Sequence, residues 1–503
     1  MKELRELRKE LEAAIESGDG EVVDRLFNLL EKQAERCERL EKENKQLRQR
    51  IAELENQDCP GPRQDTGTPT ASYSLEAEEK RRQRKQRKRK TAAQKRKSGR
   101  KPNKDKLNSV VRWVDILPEG AQKKDCLLQS ERPVWHIEEG RAVRVGYRIY
   151  RLAWQETPRI PGVLPRCEYG VEIHVLVAYL VYVIGISIDK TCQLLRFFCQ
   201  LPLEPSQADA MLTQLGREWS QEFDDICEQI ALAAVVYSDE TSWRIGRLNT
   251  SLWSFTSELH CVMLFGCSKN RQTLESILPP ESFEGVLVSD DAAVYQQGYC
   301  GQKCWAHLIR KAVRLTLLHP EHPTYRRFLE DLLTLFRDAK RSSKDRRLGD
   351  EGRQVRVGEL EARLCDICHP HWPDITPGLG EPQTAAETDF RNLVNELLRL
   401  MVAEQLFVFV LDPEVEATNN IAERQLRNSA LARQAHRTNK TDSGASRQTH
   451  IVSVLESLRR SLGNFTINTV VDKVASCLHR SIGMFQPTGP PKAQTDPALS
   501  PTG

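Results

Sequence analysis

The chain has 503 residues, of which 39% are hydrophobic and 29% charged, and its formal net charge is +4. A single core stops growing near ~250 residues, so this length predicts several domains, and the composition excludes a mainly membrane-embedded or wholly disordered chain. The fourteen cysteines lack the dense, regular spacing of a secreted disulfide scaffold, so a reducing compartment is expected.

The N-terminal segment has the pattern of a coiled coil. The first forty residues are helical and charged, so no cleavable signal sequence is predicted. From Val23 to Leu54 apolar residues recur at steps of three and four, the a/d pattern of a heptad seam. Asn44 falls at an a position, which favours a parallel pair of helices. We predict a dimerisation segment over 1–57; the alternative is an amphipathic helix packed on its own protein.

A linker and a basic arm follow over 58–106. Fourteen of the twenty-two residues from Lys80 to Lys101 are Lys or Arg. Such a run neutralises phosphates without reading base sequence, so we predict nucleic-acid binding, against the alternative of a solvated basic linker. The residues expected to contact DNA are Arg81, Arg82, Arg84, Lys85, Arg87, Lys88, Arg89 and Lys90.

The rest of the chain alternates between strand and helix patterns. Residues 107–160 predict a small β-rich module, and 161–225 predict a helical DNA-binding domain. The apolar stretch Ile173–Ile188 has only sixteen residues and carries His174, so a buried helix is preferred to a membrane span. Residues 226–320 show strand patterns, and residues 321–405 predict charged helices. Residues 406–480 predict a short strand-like run followed by closing helices. Residues 481–503 predict a disordered tail.

Two of the apolar runs finish with Ser followed by Asp. "VVYSD" ends at Asp239 and "VLVSD" at Asp290, and a second acid follows each, Glu240 or Asp291. If both runs are parallel strands, their carboxyl ends meet at one sheet edge, where ligand sites of α/β folds form. Paired carboxylates suit Mg²⁺ or Mn²⁺, and such metal pairs support phosphoryl transfer. The alternative is that each acid ends its strand and is capped or salt-bridged locally.

A third candidate acid is Glu423, in "TNNIAERQLR". Asn420, three residues earlier, would form a capping box with it, in which the glutamate reaches back to the cap amide. The functional alternative places Glu423 in the first helical turn, with Arg424 and Arg427 nearby to meet phosphates. Arg433 follows in a basic stretch, where DNA contact and a solvated surface remain open.

Several ordered blocks together resemble the transposases of the insertion-sequence 66 family. The blocks are "SDETSW" with "LWSF", "LVSDDAAVY", "CWAHLIRK" and "NNIAERQLRNSALARQ". The resemblance covers the chain from about 169 to 478. It implies a multi-domain α+β and α/β protein in which an RNase H-like catalytic fold is interrupted by a helical insertion. A coiled coil and a helical DNA-binding region precede that fold.

The resemblance also implies the reaction and its residues. Asp239, Asp290 and Glu423 would form a DDE triad that is both catalytic and metal-binding, with two Mg²⁺ or Mn²⁺ ions. Asp290 rather than Asp291 matches the family pattern because it stands five residues before Tyr295. The chemistry would be hydrolysis at transposon ends, followed by attack of the freed 3′-hydroxyl on target DNA. Glu240 is expected to face away from the metal and support the fold.

Partners and location follow from the same resemblance. The implied partners are transposon-end and target DNA, other copies in a homodimer or higher assembly through the coiled coil, and possible accessory transposition proteins. No membrane partner is expected. The implied location is the bacterial cytoplasm, on the nucleoid when the protein is bound to DNA.

Zinc is not expected, although cysteine and histidine recur. Family members commonly carry a C-x-x-C…C-x-x-C module after the basic region, whereas here Cys126 stands alone until Cys167. Other groups with spacings that could ligate zinc, none a complete motif, are Cys300, Cys304 and His307, and Cys365, Cys368, His369 and His371.

A rival hypothesis is a non-catalytic DNA-binding protein descended from a transposase. The presence of all three acids argues against it.

Overall fold

The computed structural model describes residues 106–153, 156–296, 298–371, 384–435, 437–478 and 484–485. The chain divides into two units, Met1–Lys101 with Thr316–Glu321, and Pro102–Leu315 with His322–Gly503. Apart from Thr316–Leu318 at the end of one helix, the features below belong to the second unit. The predicted coiled coil over 1–57 and the eight basic residues expected to contact DNA between 81 and 90 lie outside the described residues.

Strands β1 to β3 precede the helical region and β4 to β8 follow it. The strands are β1 (Arg112–Ile116), β2 (Leu127–Glu138), β3 (Arg141–Arg151), β4 (Val235–Ile245), β5 (Leu248–Thr256), β6 (Cys261–Cys267), β7 (Val286–Ser289) and β8 (Gly301–Lys303).

Helices α1 to α4 connect the two groups of strands. The helices are α1 (Val171–Ala178), α2 (Ile188–Cys199), α3 (Pro205–Glu218), α4 (Ser220–Ala231), α5 (Arg271–Glu275), α6 (Trp305–Leu318), α7 (Pro323–Lys344), α8 (Asp350–Cys368), α9 (Ala385–Val402), α10 (Val408–Leu411), α11 (Asn420–Gln434), α12 (Asp442–Ser461) and α13 (Ile467–Leu478).

The first sheet has the strand order β1-β3-β2, with β1 parallel to β3 and β2 antiparallel to it. Glu139 and Gly140 connect β2 to β3 and both have positive φ, 50° and 78°. A two-residue hairpin loop with positive φ at both positions matches the twist of the flanking strands. This sheet falls within 107–160, where the sequence predicts β structure.

The apolar stretch Ile173–Ile188 forms most of helix α1 and a following π-helical turn, Tyr179–Val183, and its buried residues lie mainly in α1. His174 is fully buried, and its ring nitrogens contact the Gly170 carbonyl at 2.9 Å and the Cys167 sulfur at 3.3 Å. Burial lowers the pKa of His174, so the ring packs as a neutral side chain. Across the described ranges no helix has both the length and the apolar character needed to span a membrane.

The second sheet has the strand order β6-β5-β4-β7-β8. β4, β5 and β6 form an antiparallel meander, whereas β7 is parallel to both β4 and β8. One hydrophobic cluster joins this sheet to α1, α3, α4, α12 and α13, and another joins Tyr237 and Val288 of the sheet to α6–α11. The fold is therefore mixed α/β, with helical layers against the sheet.

Helix α12 covers the outer edge of β6 with a row of hydroxyl groups. Amides of β6 that point away from β5 donate to hydroxyls one helical turn apart: Cys261 to Ser457, Met263 to Ser453 and Phe265 to Thr449, at 2.9–3.0 Å. Side chains spaced by four residues lie on one helix face, which matches the two-residue repeat of the strand. All three hydroxyl residues are buried.

Helices α7, α8 and α9 lie in the chain between β8 and α11. The Arg353 guanidinium of α8 is buried and donates to the Val410 carbonyl at 2.9 Å and to the carbonyls of Ser343 and Asp345 at 3.3 Å. The helical layer is thereby attached to α10, which follows it.

Met484 and Phe485 fall within the range 481–503 predicted to be disordered, yet both are buried. The Met484 amide donates to the Glu222 carboxylate at 2.6 Å. For these two residues the disorder prediction is wrong, because their apolar side chains pack in the core.

Candidate active site

Parallel pairing of β4 and β7 aligns the first two acids. The register runs from Val235 opposite Val286 to Tyr237 opposite Val288. Asp239 and Asp290 each follow two residues after the last pair of this register, so both acids lie just beyond the same end of the parallel pair. They are close enough for the charge of Asp290 to raise the pKa of Asp239.

The prediction that the strand ends at Asp239 is wrong. β4 continues to Ile245, because its outer half pairs with β5 from Tyr237 opposite Thr256 to Ile245 opposite Leu248. Pairing with β7 ends before Asp239, and beyond that point side chains of α11 take the place of a strand: Asn419 donates to the Ser238 carbonyl and Arg433 to the Ser242 carbonyl. Asp239 therefore lies within a continuous strand, on a rigid backbone.

Glu240 points away from Asp239, as strand alternation requires. Its carboxylate accepts a hydrogen bond from the Tyr295 hydroxyl at 2.6 Å and forms an ion pair with Lys269. Only 4% of the Glu240 side chain is exposed. The geometry therefore gives Glu240 a role in packing and charge pairing, as expected from the sequence.

The segment after β7 separates Asp290 from Asp291. A carboxylate oxygen of Asp290 accepts the Ala292 amide at 3.0 Å, whereas Asp291 forms an ion pair with Arg399 of α9. The Lys303 side chain, which is 2% exposed, donates to the Asp290 carbonyl at 3.1 Å and so helps to hold this segment in place. Asp291 is thus neutralised by a partner, and Asp290 is the acid next to Asp239.

Helix α11 brings Glu423 to the same region. The capping residue is Asn419, and its side chain makes no cap hydrogen bond, so the capping-box alternative for Asn420 and Glu423 is not formed. Instead the Asn419 side-chain amide donates to the Ser238 carbonyl at 2.7 Å, one residue before Asp239. This contact fixes the first turn of α11, and with it Glu423, against β4.

The three acids share one electrostatic environment. Burial raises the pKa of Asp239 to about 7, and the charges of Glu240, Asp290 and Glu423 add to the effect, while a hydrogen bond from the Glu240 amide opposes it. The part of this pKa shift that comes from the neighbouring carboxylates shows that the acids repel one another when ionised. A cation bound among these acids would relieve that repulsion, and hard carboxylate oxygens are the ligands that Mg²⁺ and Mn²⁺ prefer.

Two residues of α6 contact Glu423. Arg310 donates to its two carboxylate oxygens at 3.3 and 3.4 Å, and the His307 Nε2 lies 3.7 Å from one of them. Cys304, His307 and Glu423 also place ligand-type atoms within 4.8 Å of one another. The Cys304 sulfur accepts a hydrogen bond from the backbone amide of Asn419 at 3.2 Å, and burial raises the pKa of this thiol.

The arginines predicted to bind DNA from α11 differ in position. Arg424 and Arg427 are exposed and line a cavity of about 380 Å³ beside Glu423. Arg433 turns toward the sheet, where it donates to the Thr241 hydroxyl at 2.9 Å and to Ser242. Arg433 therefore fastens α11 to β4, and DNA contact by this residue stays a prediction.

Sequence reasoning missed two basic residues of the site, Arg310 and Lys303. Both lie in or next to the quoted block "CWAHLIRK", and helical spacing puts His307 and Arg310 on one face of α6. That spacing was an available signal for Arg310. No local pattern marks Lys303, which lies in the three-residue strand β8.

A family model described as Transposase IS66 family matches residues 166–447, more than half of the chain. The chain belongs to the IS66 family of transposases. The resemblance seen in the ordered blocks is thereby confirmed, and all three candidate acids fall inside the matched range. A search of curated proteins gives no match. Membership of a transposase family supports an enzyme that acts on DNA.

Proposed function

We propose that this IS66-family transposase cleaves DNA at transposon ends and transfers the freed strand into target DNA, with Asp239, Asp290 and Glu423 as its catalytic triad. The supporting observation is their convergence. Parallel register sets Asp239 beside Asp290, and the Asn419 contact to Ser238 brings Glu423 to the same strand. Their charges act together on the pKa of Asp239.

Asp239, Asp290 and Glu423 would also hold the divalent metal, Mg²⁺ or Mn²⁺. A pair of such ions supplies activation of the attacking oxygen and stabilisation of the leaving one. The chain itself contributes geometry: β4 holds Asp239, the Ala292 amide orients Asp290, and Asn419 sets the position of Glu423. Preorganised carboxylates of this kind serve both hydrolysis and strand transfer, because both are phosphoryl transfers.

The architecture supports an RNase H-like assignment for 226–320 and 406–480, with 321–405 as the helical insertion. The supporting features are the mixed five-stranded sheet, its acids beside the parallel strands, and helices α7–α9 between β8 and α11. We further propose that 161–225 binds DNA, that 58–106 adds non-specific affinity, and that copies associate through 1–57. These assignments rest on the sequence patterns and the family.

The experiment compares Asp239→Asn, Asp290→Asn and Glu423→Gln in the full-length protein with Glu284→Gln. Glu284 is an exposed acid before β7 that does not line the cavity beside Glu423. Cleavage of duplexes carrying the element ends is measured with Mg²⁺ and with Mn²⁺, and DNA binding by fluorescence anisotropy. We expect each triad variant to lose about 1000-fold or more in rate while still binding DNA, and Glu284→Gln to stay close to wild type.

Wild-type cleavage by the Asp290 variant would exclude this triad. Binding of element ends by the wild-type protein without nicking, under either metal, would instead favour the non-catalytic rival. Cleavage without joined products would indicate a nuclease that does not transfer strands.

A further inference from the structure

Arg310 occupies an unusual place for a basic residue, because it pairs with an acid that the reaction needs. Its guanidinium lies 3.3 and 3.4 Å from the two oxygens of Glu423, and 57% of its side chain is exposed. The Glu423 side chain is 24% exposed. A cation bound by Glu423 and the Arg310 guanidinium would therefore compete for the same two oxygens.

Two more arginines line the same cavity. Arg424 and Arg427 project from α11 beside Glu423, and together with Arg310 they face a space of about 380 Å³. The acids in that lining are Glu416 and Glu423, so the cavity is lined by three positively charged and two negatively charged side chains. Arg424 donates from Nε to the Asn420 carbonyl of its own helix at 3.2 Å. Within the described part of the chain, no hydrogen bond or ion pair engages Arg427.

This arrangement changes when Glu423 turns to a metal. The cavity would then hold an excess of two positive charges, three arginines against Glu416, with planar guanidinium groups suited to the oxygens of a phosphodiester. A DNA strand whose scissile phosphate lies at the triad carries further phosphates a few ångströms away. The cavity beside Glu423 is therefore placed and charged to receive one of them.

We propose that Arg310, Arg424 and Arg427 form a binding site for a DNA phosphate next to the scissile one, and that Arg310 pairs with Glu423 until that phosphate arrives. The proposal rests on the proposed function, since it assigns Glu423 to the metal. Without DNA, Arg310 weakens metal binding by occupying Glu423. With DNA, Arg310 turns to the phosphate and releases the carboxylate. Metal and DNA binding are thus coupled through one side chain.

The test uses the full-length protein, Mn²⁺ alone and a mixed-sequence DNA duplex alone. Arg310→Gln removes the charge, Arg310→Lys keeps it, and Arg314→Gln is the matched control, an exposed arginine one turn further along α6 that does not line the cavity. Mn²⁺ affinity is measured by calorimetry in the absence of DNA. Duplex affinity is measured by anisotropy across a salt series in the absence of metal.

We expect Arg310→Gln to bind Mn²⁺ about threefold to fivefold more tightly than wild type, because a competing surface ion pair is gone. The same variant should bind DNA more weakly, with a salt slope lower by about one counterion. Arg310→Lys should lie between wild type and Arg310→Gln in both measurements, and Arg314→Gln should match wild type in Mn²⁺ affinity. A residue that merely supports Glu423 would lower Mn²⁺ affinity when removed.

Unchanged or weaker Mn²⁺ binding by Arg310→Gln would overturn the competition. An unchanged salt slope would overturn the phosphate site. Glu423→Gln separates these failures from failure of the proposed function: if that variant cleaves DNA normally, the triad is wrong. If it loses both cleavage and Mn²⁺ affinity while Arg310→Gln behaves as wild type, only the present inference fails.

Discussion

The side-chain amide of Asn419 donates to the backbone carbonyl of Ser238 at 2.7 Å and is wholly buried. These residues are 181 positions apart in the chain. This contact helps to hold the first turn of α11 against β4, one residue before Asp239. The position of Glu423, the third acid of the proposed triad, therefore depends on a side chain that is not itself acidic.

Asn419→Ala should lower cleavage by about tenfold or more while DNA affinity stays near wild type. The substitution leaves the Ser238 carbonyl buried without its donor, at a cost of about 1–3 kcal/mol, and frees the first turn of α11. Cleavage rates, anisotropy and denaturant unfolding measure the three quantities. Asn420→Ala, an exposed neighbour, is the control; equal behaviour of the two variants would exclude a positioning role for Asn419.

Glu240→Gln should retain cleavage within a few-fold of wild type and leave Mn²⁺ affinity unchanged. The amide oxygen can still accept the Tyr295 hydroxyl, and only the ion pair with Lys269 is lost. Asp239→Asn, one residue away, should abolish cleavage. A loss in Glu240→Gln as large as in Asp239→Asn would make Glu240 a member of the catalytic site.

The row of hydroxyls on α12 should contribute measurably to stability. Ser453→Ala removes the acceptor of the buried Met263 amide, with an expected cost of about 1–3 kcal/mol in the free energy of unfolding. Hydrogen exchange at the Met263 amide should speed up in this variant. Ser461→Ala, at the exposed end of the same helix, should change neither quantity, and similar behaviour of both variants would contradict this account of the edge.

Glu222 should make stability depend on pH. Burial raises its pKa to about 7 from 4.5, although the Met484 amide opposes the shift. Because the folded pKa is the higher one, the proton stabilises the fold below about pH 4.5, and that contribution is lost as the pH rises to 7.

Glu222→Gln keeps an acceptor for Met484 and does not titrate. As the pH rises from 4.5 to 8, the free energy of unfolding of this variant should therefore increase relative to that of wild type by on the order of 1–3 kcal/mol. Denaturant unfolding at each pH measures the difference. Glu228→Gln, an exposed acid on the same helix, should show no such gain. A wild-type profile parallel to that of Glu222→Gln would rule out the contribution.

Lys303→Met should loosen the segment that carries Asp290. The Lys303 ammonium donates to the Ser289 hydroxyl and the Asp290 carbonyl at 3.1 Å and to the Tyr295 carbonyl at 3.3 Å, and burial lowers its pKa to about 8. Methionine fills the space without these donors. We expect cleavage to fall about tenfold and exchange at the Ala292 amide to rise, with Lys440→Met as an exposed control. Unaltered exchange at Ala292 would refute the supporting role.

Local pattern was enough to find the two aspartates. Each follows an apolar run, and the parallel register of β4 and β7 places them together without further information. The length of β4 was missed because "ETS" reads as polar loop, whereas pairing with β5 carries the strand through it. Side chains of α11, rather than another strand, bond the other side of this part of β4.

The contacts of Glu423 could not be read from sequence in the same way. The capping-box and functional interpretations of Glu423 rest on the same residues, and only the observed helix cap at Asn419 rules out the capping box. Arg310 lies 113 residues from Glu423 in the chain. Lys303 donates largely to main-chain carbonyls, which every residue has, so no residue type in the sequence marks these contacts. The hydroxyls of α12 were overlooked because Ser and Thr on a helix usually suggest a solvated face.

Both edge strands of the second sheet, β6 and β8, form hydrogen bonds along their outer edges to other parts of the chain. Hydroxyls of α12 take the amides of β6, and on β8 the Lys303 amide donates to the Gln405 carbonyl at 2.7 Å, while the Gln302 side chain contacts Leu406 and Phe409. Along β6 and β8, within the described residues, a second copy therefore finds no continuous row of open amides on which to add a strand. If copies gathered on DNA, their second sheets would stay separate, so one copy could leave or be replaced without refolding its neighbour.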